Sequence, residues 1–199
     1  MNYKTHRLFS VPVFEYRLEN YKTLNPELEK YIYGLKKKNS KGIKRSNAGG
    51  WHSTFFNLKE TSIIQKFIDV KRKFIENLIT EGLGWKFFPE KTNIINMWAI
   101  INHKNTFNIR HNHPNSLLSA AYYVKSEKNS GAISFYDPKE AKVMRKPLMQ
   151  KFNDFSADVT KIEPLEGNLL IFPSYLYHSV DENLSNSDRI VISFNIDIR

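Results

Sequence analysis

The sequence predicts a mainly β protein with a layer of helices on its N-terminal side. Short apolar runs bounded by turn residues dominate from residue 94 onward, as in IINMWAIIN, LLSAAYYV and RIVISFNIDI. The preceding part instead repeats apolar residues at helical spacing. Many short strands without intervening helices are typical of a sandwich, a barrel or a jelly roll. We therefore expect one domain over 1–199, with a helical layer over about 24–84 and a β core over about 94–199.

Two helices are predicted in the N-terminal layer. In NPELEKYIYGL, residues 25–35, Pro26 suits the first helical position and apolar residues follow at helical spacing. The second helix is predicted over 58–84, LKETSIIQKFIDVKRKFIENLITEGLG, where Val70 is among the apolar positions and glycines end the pattern. Both helices are expected to pack against one sheet of the β core.

Composition limits the chemistry that the chain can use. The sequence has no cysteine, which excludes disulfides, thiolate nucleophiles and cysteine-ligated zinc. Any metal site must therefore use His, Asp or Glu. The N-terminus lacks an apolar stretch of signal-peptide length, and no window approaches the roughly 18 apolar residues of a membrane span. We expect a soluble, cytoplasmic protein without membrane contact.

The chain is strongly basic, with a formal net charge of +10, which raises the question of nucleic-acid binding. Much of the excess lies in LKKKNSKGIKR, residues 35–45, which we interpret as an exposed loop after a helix. Nucleic-acid binding stays an alternative but is not favoured, because aromatic residues do not alternate with Lys and Arg on the predicted strands. The sequence leaves open whether the chain forms a homodimer.

The stretch IRHNHPNS, residues 109–116, holds a pair of histidines. Side chains at i and i+2 of a strand point to the same face, so His111 and His113 are expected to face one space. His178, in FPSYLYHSV, is the best candidate for a third ligand. A His-x-ligand pair followed much later by a lone histidine is the arrangement of non-heme iron sites in jelly-roll oxygenases. The alternative is that two surface histidines fall two positions apart by chance.

Arg189 indicates an anion-binding position near these histidines. In DRIVISFNI, Arg189 shares one strand face with Ser193, and the other face is apolar. A guanidinium matches a carboxylate bidentately, and a hydroxyl can add a hydrogen bond. The segment between His178 and Arg189 is long enough for a turn into a neighbouring antiparallel strand. An iron site beside a carboxylate anchor describes a 2-oxoglutarate pocket; the alternative is a structural arginine paired with Asp or Glu.

Three blocks, HNHPNSLLSAAYYV, SGAISFYDP and GNLLIFPSYLYHSVDENLSNSDRIVISFNI, resemble a family of 2-oxoglutarate- and Fe(II)-dependent oxygenases found in marine bacteria and their phages. The block RSNAGGWHS, residues 45–53, resembles a stretch near the N-terminus of that family. The blocks occur in the right order and cover most of the chain. The resemblance implies a double-stranded β-helix core, the jelly roll that cupins share. It also implies Fe(II) and 2-oxoglutarate as cofactors, O₂ as cosubstrate, and hydroxylation with release of succinate and CO₂.

Carried over by position, the resemblance implies that His111 and His178 are metal ligands and that Arg189 pairs with the distal carboxylate of 2-oxoglutarate. Most enzymes of the wider superfamily have Asp or Glu where this chain has His113. The site would then hold three histidines and one negative charge fewer. If His113 does not bind the metal, Asp137 in SFYDP or a water completes the coordination. We favour His113 because the strand fixes the direction of its side chain.

Further residues have weaker claims. One ring of the pair Tyr122 and Tyr123 must point to each face of its strand, and we take Tyr123 and Asn102 as candidates for contacts to 2-oxoglutarate. His52 is either a substrate contact at the pocket mouth or a packed loop residue. The alternative function is a cupin-like metal-binding protein, or a non-oxygenase enzyme, with a three-histidine site. The sequence does not indicate the primary substrate.

Overall fold

The computed structural model describes residues 4–59, 62–139, 147–151, 153 and 155–198. The strands in this part are β1 Phe14–Arg17, β2 Asn47–Ala48, β3 Trp51–His52, β4 Thr92–Asn102, β5 Phe107–His111, β6 Leu118–Lys125, β7 Ile133–Tyr136, β8 Val159–Ile162, β9 Asn168–Pro173, β10 His178–Val180 and β11 Arg189–Ile198. The helices are α1 Tyr21–Lys38 and α2 Ser62–Asn77, and the π-helical turn Leu78–Gly82 follows α2 directly. Neither α-helix is long and apolar enough to cross a membrane.

The described strands form two antiparallel sheets that face each other. The six-stranded sheet has the order β1-β9-β6-β11-β4-β3, and the five-stranded sheet has the order β2-β5-β10-β7-β8. Both helices pack on the outer face of the six-stranded sheet. The predicted mainly β class with an N-terminal helical layer is therefore confirmed.

Alternation along the strands separates the apolar core from the space between the sheets. On β11, Ile190, Ile192 and Phe194 belong to the core beneath the helices. Residues of the opposite parity on β11 line a cavity between the two sheets. A smaller apolar cluster, which includes Phe135, Phe172 and Val191, joins the inner faces of the sheets. The side chains of β11 thus alternate between the core and the cavity, as the sequence predicted.

The connection between His178 and Arg189 differs from the sequence prediction. We expected the two residues on neighbouring strands of one sheet, but β10 lies in the five-stranded sheet and β11 in the six-stranded sheet. The intervening segment crosses from one sheet to the other. His178 and Arg189 both line the same cavity because the two sheets face each other.

Helix α1 begins earlier than the sequence predicted. It starts at Tyr21, so Pro26 lies inside the helix and not at its first position. The extra turn is held by Leu24, which is fully buried in the core, and by the hydrogen bond from its N–H to the carbonyl of Asn20. Residues 36–38, predicted as part of a basic loop, form the last turn of α1, where their positive charges interact favourably with the helix dipole.

Helix α2 buries a lysine where an apolar residue was expected. The helix is described from Ser62, later than the predicted start at residue 58. Lys71 is fully buried, whereas the neighbouring Val70 is exposed. The Lys71 amine lies 3.6 Å from the ring centroid of Phe67 and donates a hydrogen bond to the Phe67 carbonyl. Burial lowers the pKa of Lys71 well below its ordinary value.

The segment 45–53 joins the two sheets on one side of the cavity. It contributes β2 to the five-stranded sheet, paired with β5, and β3 to the six-stranded sheet, paired with β4. Gly49 and Gly50 lie between these strands with φ of 70° and 66°, a left-handed conformation that glycine adopts without strain. This tight connection places His52 and the residues around Arg45 at the cavity.

Replacing Lys71 with Met should stabilise the protein, because the variant keeps a long flexible side chain and removes the desolvated amine. In a domain of this size, about 1 kcal/mol shifts Tm by about 2–4 °C, so we expect a rise of a few degrees. Between the lowered pKa of Lys71 in the folded chain and its ordinary value of 10.5, the unfolded chain binds more protons than the folded chain. Stability of the wild type should therefore rise toward pH 10.5, the ordinary lysine value.

Lys73→Met is the matched control, because Lys73 is exposed on the same helix. Thermal unfolding followed by circular dichroism across pH 7–10 measures both effects. Equal Tm values for the two variants would contradict the assigned cost of burying Lys71.

Candidate metal centre

A cavity of about 530 Å³ lies between the two sheets. This volume falls within the usual range for small-molecule sites. The five-stranded sheet contributes His111 from β5 and His178 from β10, which pair directly across the two strands. The six-stranded sheet contributes Arg189 and Asn102, which are also register partners. The candidate residues that the sequence indicated therefore line the same cavity.

Three histidines form a compact cluster in this cavity. One ring nitrogen from each of His111, His113 and His178 lies within 4.8 Å of the corresponding nitrogens of the other two. The ring centroids of His111 and His178 are 4.3 Å apart, and that of His113 is 5.2 Å from each of them. Three imidazoles at this separation could hold one metal ion.

His113 reaches the cluster by a different route from the one predicted. Strand β5 ends at His111, so the alternation of a strand does not by itself set the direction of His113. Instead, the backbone N–H of His113 donates to the carbonyl of Ser174 at 3.0 Å. Its ring then lies against Asn195 of the opposite sheet. Tertiary contacts, and not local strand geometry, hold this histidine in place.

Hydrogen bonds select one tautomer for the three rings. The Nδ1 atoms of His111 and His178 lie 2.7 Å and 3.0 Å from the carbonyl oxygens of Ile109 and Leu176. A carbonyl only accepts, so Nδ1 carries the proton in both rings and Nε2 keeps its lone pair. The Nδ1 of His113 lies 2.8 Å from Oδ1 of Asn195, which selects the same tautomer. Such contacts orient and tune metal-binding histidines.

A buried polar network supports Asn195. The Ser119 hydroxyl donates to Oδ1 of Asn195 at 2.9 Å and lies 2.7 Å from the Ser174 hydroxyl. With Ser119 donating to Asn195, the Ser174 hydroxyl donates to Ser119. Both hydroxyl groups then have an acceptor for their proton, and Oδ1 of Asn195 still accepts a hydrogen bond from His113. Asn195 has the same strand parity as Arg189 and Ser193, but the sequence indicated no role for it.

Burial keeps the three imidazoles neutral. Desolvation lowers the pKa of His111 to about 4 and that of His178 to about 3, and it also lowers the pKa of His113. Neutral imidazole is the form that binds a metal. Below the ordinary histidine value of 6.5, the unfolded chain binds more protons than the folded chain. The cluster therefore reduces the stability of the metal-free protein as the pH falls.

Asp137, the proposed substitute for His113, lies elsewhere. Asp137 lines a second cavity next to the N-terminal segment, and it is not part of the histidine cluster. Its carboxylate accepts a hydrogen bond from the backbone N–H of Lys139. The structure therefore does not support Asp137 as a ligand in this site.

Arg189 is fully buried at another part of the cavity lining. Its Nη1 donates to the carbonyls of Ser130, Gly131 and Asp181. Gly131 has a φ of 93°, and a side chain there would collide with the guanidinium. Nε and Nη2 have no hydrogen-bond partner among the residues that the structure describes. These two N–H groups form one edge of the guanidinium fork, and this edge can take a carboxylate.

Arg189 is held by carbonyls and not by an acidic side chain, so the structure does not show the alternative of an Asp or Glu partner within the described residues. Burial lowers the pKa of Arg189 to about 10, and the side chain stays charged at neutral pH. A buried, charged and half-satisfied guanidinium is costly unless an anion pairs with it. This position therefore fits an anionic ligand.

The other predicted contacts are also at the cavity. Ser193, Tyr123 and Asn102 all line it. Tyr122 points the opposite way, where its hydroxyl donates to Asn25 beneath the helices. Burial raises the pKa of Tyr123, so its hydroxyl remains a hydrogen-bond donor.

An aromatic part of the cavity was only partly anticipated. His52, which the sequence offered as a candidate for substrate contact, lines the cavity together with Phe55 and Trp98. The sequence did not predict that Phe55 and Trp98 line the cavity. Trp98 shares the parity of Asn102 on β4, so the alternation of that strand was a usable signal for its direction. Phe55 follows a two-residue strand and carried no such signal.

Two facing antiparallel sheets that enclose a histidine cluster and a buried arginine define a class of metal-dependent enzymes with an anionic cosubstrate. Residues 96–195 match the sequence profile of the family described as "Putative 2OG-Fe(II) oxygenase". The match covers half of the chain, and the chain belongs to this family. It is therefore a dioxygenase that uses Fe(II), 2-oxoglutarate and O₂. This confirms the function and cofactors predicted from the sequence and decides against the cupin-like alternative.

Solved structures support the fold. A prolyl-4-hydroxylase from Pseudomonas putida matches with a TM-score of 0.68 at 11% identity, over 96% of this chain and 95% of that chain. A prolyl hydroxylase from Trichoplax adhaerens, in complex with a hypoxia inducible factor peptide, has a TM-score of 0.66 at 13% identity, over 94% and 83% of the two chains. HygX from Streptomyces hygroscopicus, with nickel and 2-oxoglutarate bound, has a TM-score of 0.63 at 9% identity, over 94% and 83%.

At these identities the likeness shows the fold alone, the double-stranded β-helix of 2-oxoglutarate oxygenases. No curated protein matches the chain significantly.

The tautomers of the cluster can be tested without metal. Long-range ¹H–¹⁵N spectra of the metal-free protein at pH 8, above the ordinary histidine pKa, should show three neutral rings protonated at Nδ1 and without a proton at Nε2. Asn195→Ala removes the amide acceptor of His113 and also the acceptor of the Ser119 hydroxyl, which lies 3.0 Å from Nδ1 of His113. The Ser119 hydroxyl can then donate to Nδ1, so His113 should populate the other tautomer while His111 and His178 keep theirs. Protonation at Nε2 in the wild-type cluster would contradict the hydrogen-bond assignment.

Proposed function

We propose that His111, His113 and His178 hold Fe(II) through their Nε2 atoms, and that Arg189 binds the distal carboxylate of 2-oxoglutarate. The observation that carries this proposal is the buried Arg189 guanidinium, whose Nε and Nη2 have no hydrogen-bond partner among the described residues. The reaction is hydroxylation of a C–H bond in an organic substrate. Succinate and CO₂ are released.

The three-histidine set changes the charge of the iron site. Three neutral imidazoles leave both charges of Fe(II) uncompensated by the protein, whereas a set with one carboxylate compensates one of them. Anionic ligands bound at the metal gain more electrostatic stabilisation in such a site. The carboxylate of 2-oxoglutarate nearest the metal is one such ligand. Three protein ligands leave other coordination positions open.

The protein orients the reactants and excludes water. When bound, Fe(II) supplies the activation of O₂ that is coupled to oxidative decarboxylation of 2-oxoglutarate. Arg189 fixes the far end of 2-oxoglutarate, and Ser193 and Tyr123 offer hydroxyl groups along the same wall. Ile133, Phe172 and Val191 surround this region with apolar surface, which strengthens the ion pair with Arg189.

We also infer that the helical layer over about 24–84 and the β core over about 94–199 act as one domain. Leu28 and Ile32 of α1 and Phe67 of α2 belong to the same buried cluster as the outer face of the six-stranded sheet. Removing the helices would expose that face to water.

His178→Ala should lose Fe(II) binding, because the variant removes one of three neutral nitrogen ligands. His113→Asp should keep Fe(II), since a carboxylate is a competent iron ligand at this position. His52→Ala is the matched control, because His52 lines the same cavity outside the cluster. Anaerobic calorimetric titration with Fe(II) measures all three. Wild-type affinity in His178→Ala, or in His113→Ala, would remove that residue from the ligand set.

Arg189→Gln should weaken 2-oxoglutarate binding by more than a hundredfold, because breaking a buried ion pair typically costs about 3–5 kcal/mol. Arg189→Lys keeps the charge but loses the fork, so its affinity should be intermediate. Ser193→Ala should lose only about 1 kcal/mol. Calorimetry with 2-oxoglutarate on the Fe(II)-loaded protein measures these affinities, and circular dichroism checks that the variants fold. Unchanged affinity in Arg189→Gln would contradict the proposed anchor.

A further inference from the structure

His52, Phe55 and Trp98 form an aromatic wall in the cavity. The rings of His52 and Trp98 are stacked at 5.9 Å with an interplanar angle of 8°, and the Phe55 centroid is also 5.9 Å from that of Trp98. Trp98 also lies next to the histidine cluster, since its ring centroid is 5.4 Å from that of His113. The wall therefore leads from the cavity mouth to the site that we propose for Fe(II).

The indole N–H of Trp98 is a hydrogen-bond donor that no described residue accepts from. Trp98 is only 7% exposed, and its Nε1 has no hydrogen-bond partner within the described part of the chain. A buried N–H left unpaired is costly, so such groups are rarely without a role. Because the Trp98 ring lines the cavity, a ligand bound there can supply the missing acceptor.

The wall borders the position of the cosubstrate at Ser193 and extends away from Arg189. On β4, Trp98 and Asn102 face the cavity four residues apart, which corresponds to about 13 Å along a strand. Asn102 is the register partner of Arg189, and Trp98 is the register partner of Ser193. His52 lies on β3 and Phe55 follows it, and β4 separates β3 from β11. A 2-oxoglutarate molecule between Arg189 and the histidines therefore leaves this side of the wall free for another ligand.

The cavity has an excess of positive charge. Its described lining contains Arg45 and Arg189 and no Asp or Glu. Fe(II) brings two positive charges and Arg189 a third, whereas 2-oxoglutarate supplies two negative charges. One positive charge is left over in the interior, and Arg45 adds another at the mouth. An uncompensated charge away from bulk water is costly, so the remaining ligand is expected to be negative.

Arg45 is close to the aromatic wall. Burial lowers the pKa of His52, and the positive charge of Arg45 lowers it further. Arg45 is itself exposed, so it can reach an anionic group at the cavity mouth without a desolvation cost for the empty site.

We propose that the primary substrate is an organic anion that carries a carboxylate or phosphate near Arg45. Its apolar part lies on the wall of His52, Phe55 and Trp98, and one of its oxygen atoms accepts a hydrogen bond from the Trp98 indole. This inference rests on the proposed positions of Fe(II) and 2-oxoglutarate. It makes Trp98 and Arg45 specificity-determining residues of the oxygenase.

The test uses the full chain loaded with Zn(II), which is diamagnetic, and with 2-oxoglutarate. Two matched pairs of probes are titrated: N-acetyl-leucine against N-acetyl-leucinamide, and uridine 5′-monophosphate against uridine. The first pair reports on a carboxylate and the second on a phosphate. The ¹H–¹⁵N indole resonances are followed during each titration. The chain has three tryptophans, and Trp98→Phe assigns the relevant resonance.

In at least one pair the acid should bind about tenfold more tightly than its neutral partner, as expected for one added charge-assisted contact. The Trp98 indole proton should move downfield, because it gains an acceptor. Arg45→Gln should remove most of the preference for the acid. Arg72→Gln, which removes the same charge from the exposed face of α2, should leave that preference unchanged.

Equal or tighter binding of both neutral probes overturns the proposal, and so does a Trp98 resonance that neither acid displaces. Binding of Zn(II) and of 2-oxoglutarate is measured by calorimetry before any probe is added. Failure at that stage overturns the proposed function itself, so the two failures are distinguishable. Success at that stage followed by failure with the acids overturns only the assignment of the substrate class.

Discussion

Strand β11 is the element on which the rest of the structure depends, because its two faces serve two incompatible environments. One face lies under the helices with Ile190, Ile192, Phe194 and Ile196. The other presents Arg189, Val191, Ser193 and Asn195 to the cavity. β11 is paired on both sides, with β4 and β6, along almost its whole length. A slip of one residue would exchange the faces and place a guanidinium in the apolar core.

This pairing also links the two ends of the site. Arg189 begins β11 and Asn195 lies near its end, so one rigid strand carries both the proposed cosubstrate anchor and the acceptor that orients His113. Fixed spacing between anchor and metal is what a reaction between two bound molecules requires. The five-stranded sheet supplies His111 and His178 against this strand.

The sequence predicted what depends on local alternation. The three apolar runs quoted as predicted strands correspond to β4, β6 and β11, and the polar face of β11 was predicted correctly. The placement of β10 and β11 in different sheets was not predictable, because the chain between them fits either a hairpin or a crossing. Lys71 was also unpredictable, because its burial depends on the faces of Phe67 and Phe194 being available to the amine.

Within the site, the chemistry of the residue types predicted the functional residues better than the expected strand geometry did. The histidines and Arg189 were recognised by the chemistry that each can perform. His113 was placed for the wrong reason, since it lies beyond the end of β5 and is held by Ser174 and Asn195. The Ser119 network was missed because the sequence did not predict the pairing of β6 with β11, which makes Ser119 the register partner of Asn195. Trp98 was missed although it shares the parity of Asn102 on β4.

The short segment 45–53 has a consequence for the behaviour of the protein in solution. Exposed sheet edges are templates for pairing between molecules. By pairing β2 with two residues of β5 and β3 with two residues of β4, this single connection covers part of one edge of each sheet. The new outermost strands are only two residues long, and Gly49 and Gly50 turn the chain away between them. The same stretch that brings His52 to the cavity therefore protects this side of the molecule from edge-to-edge aggregation.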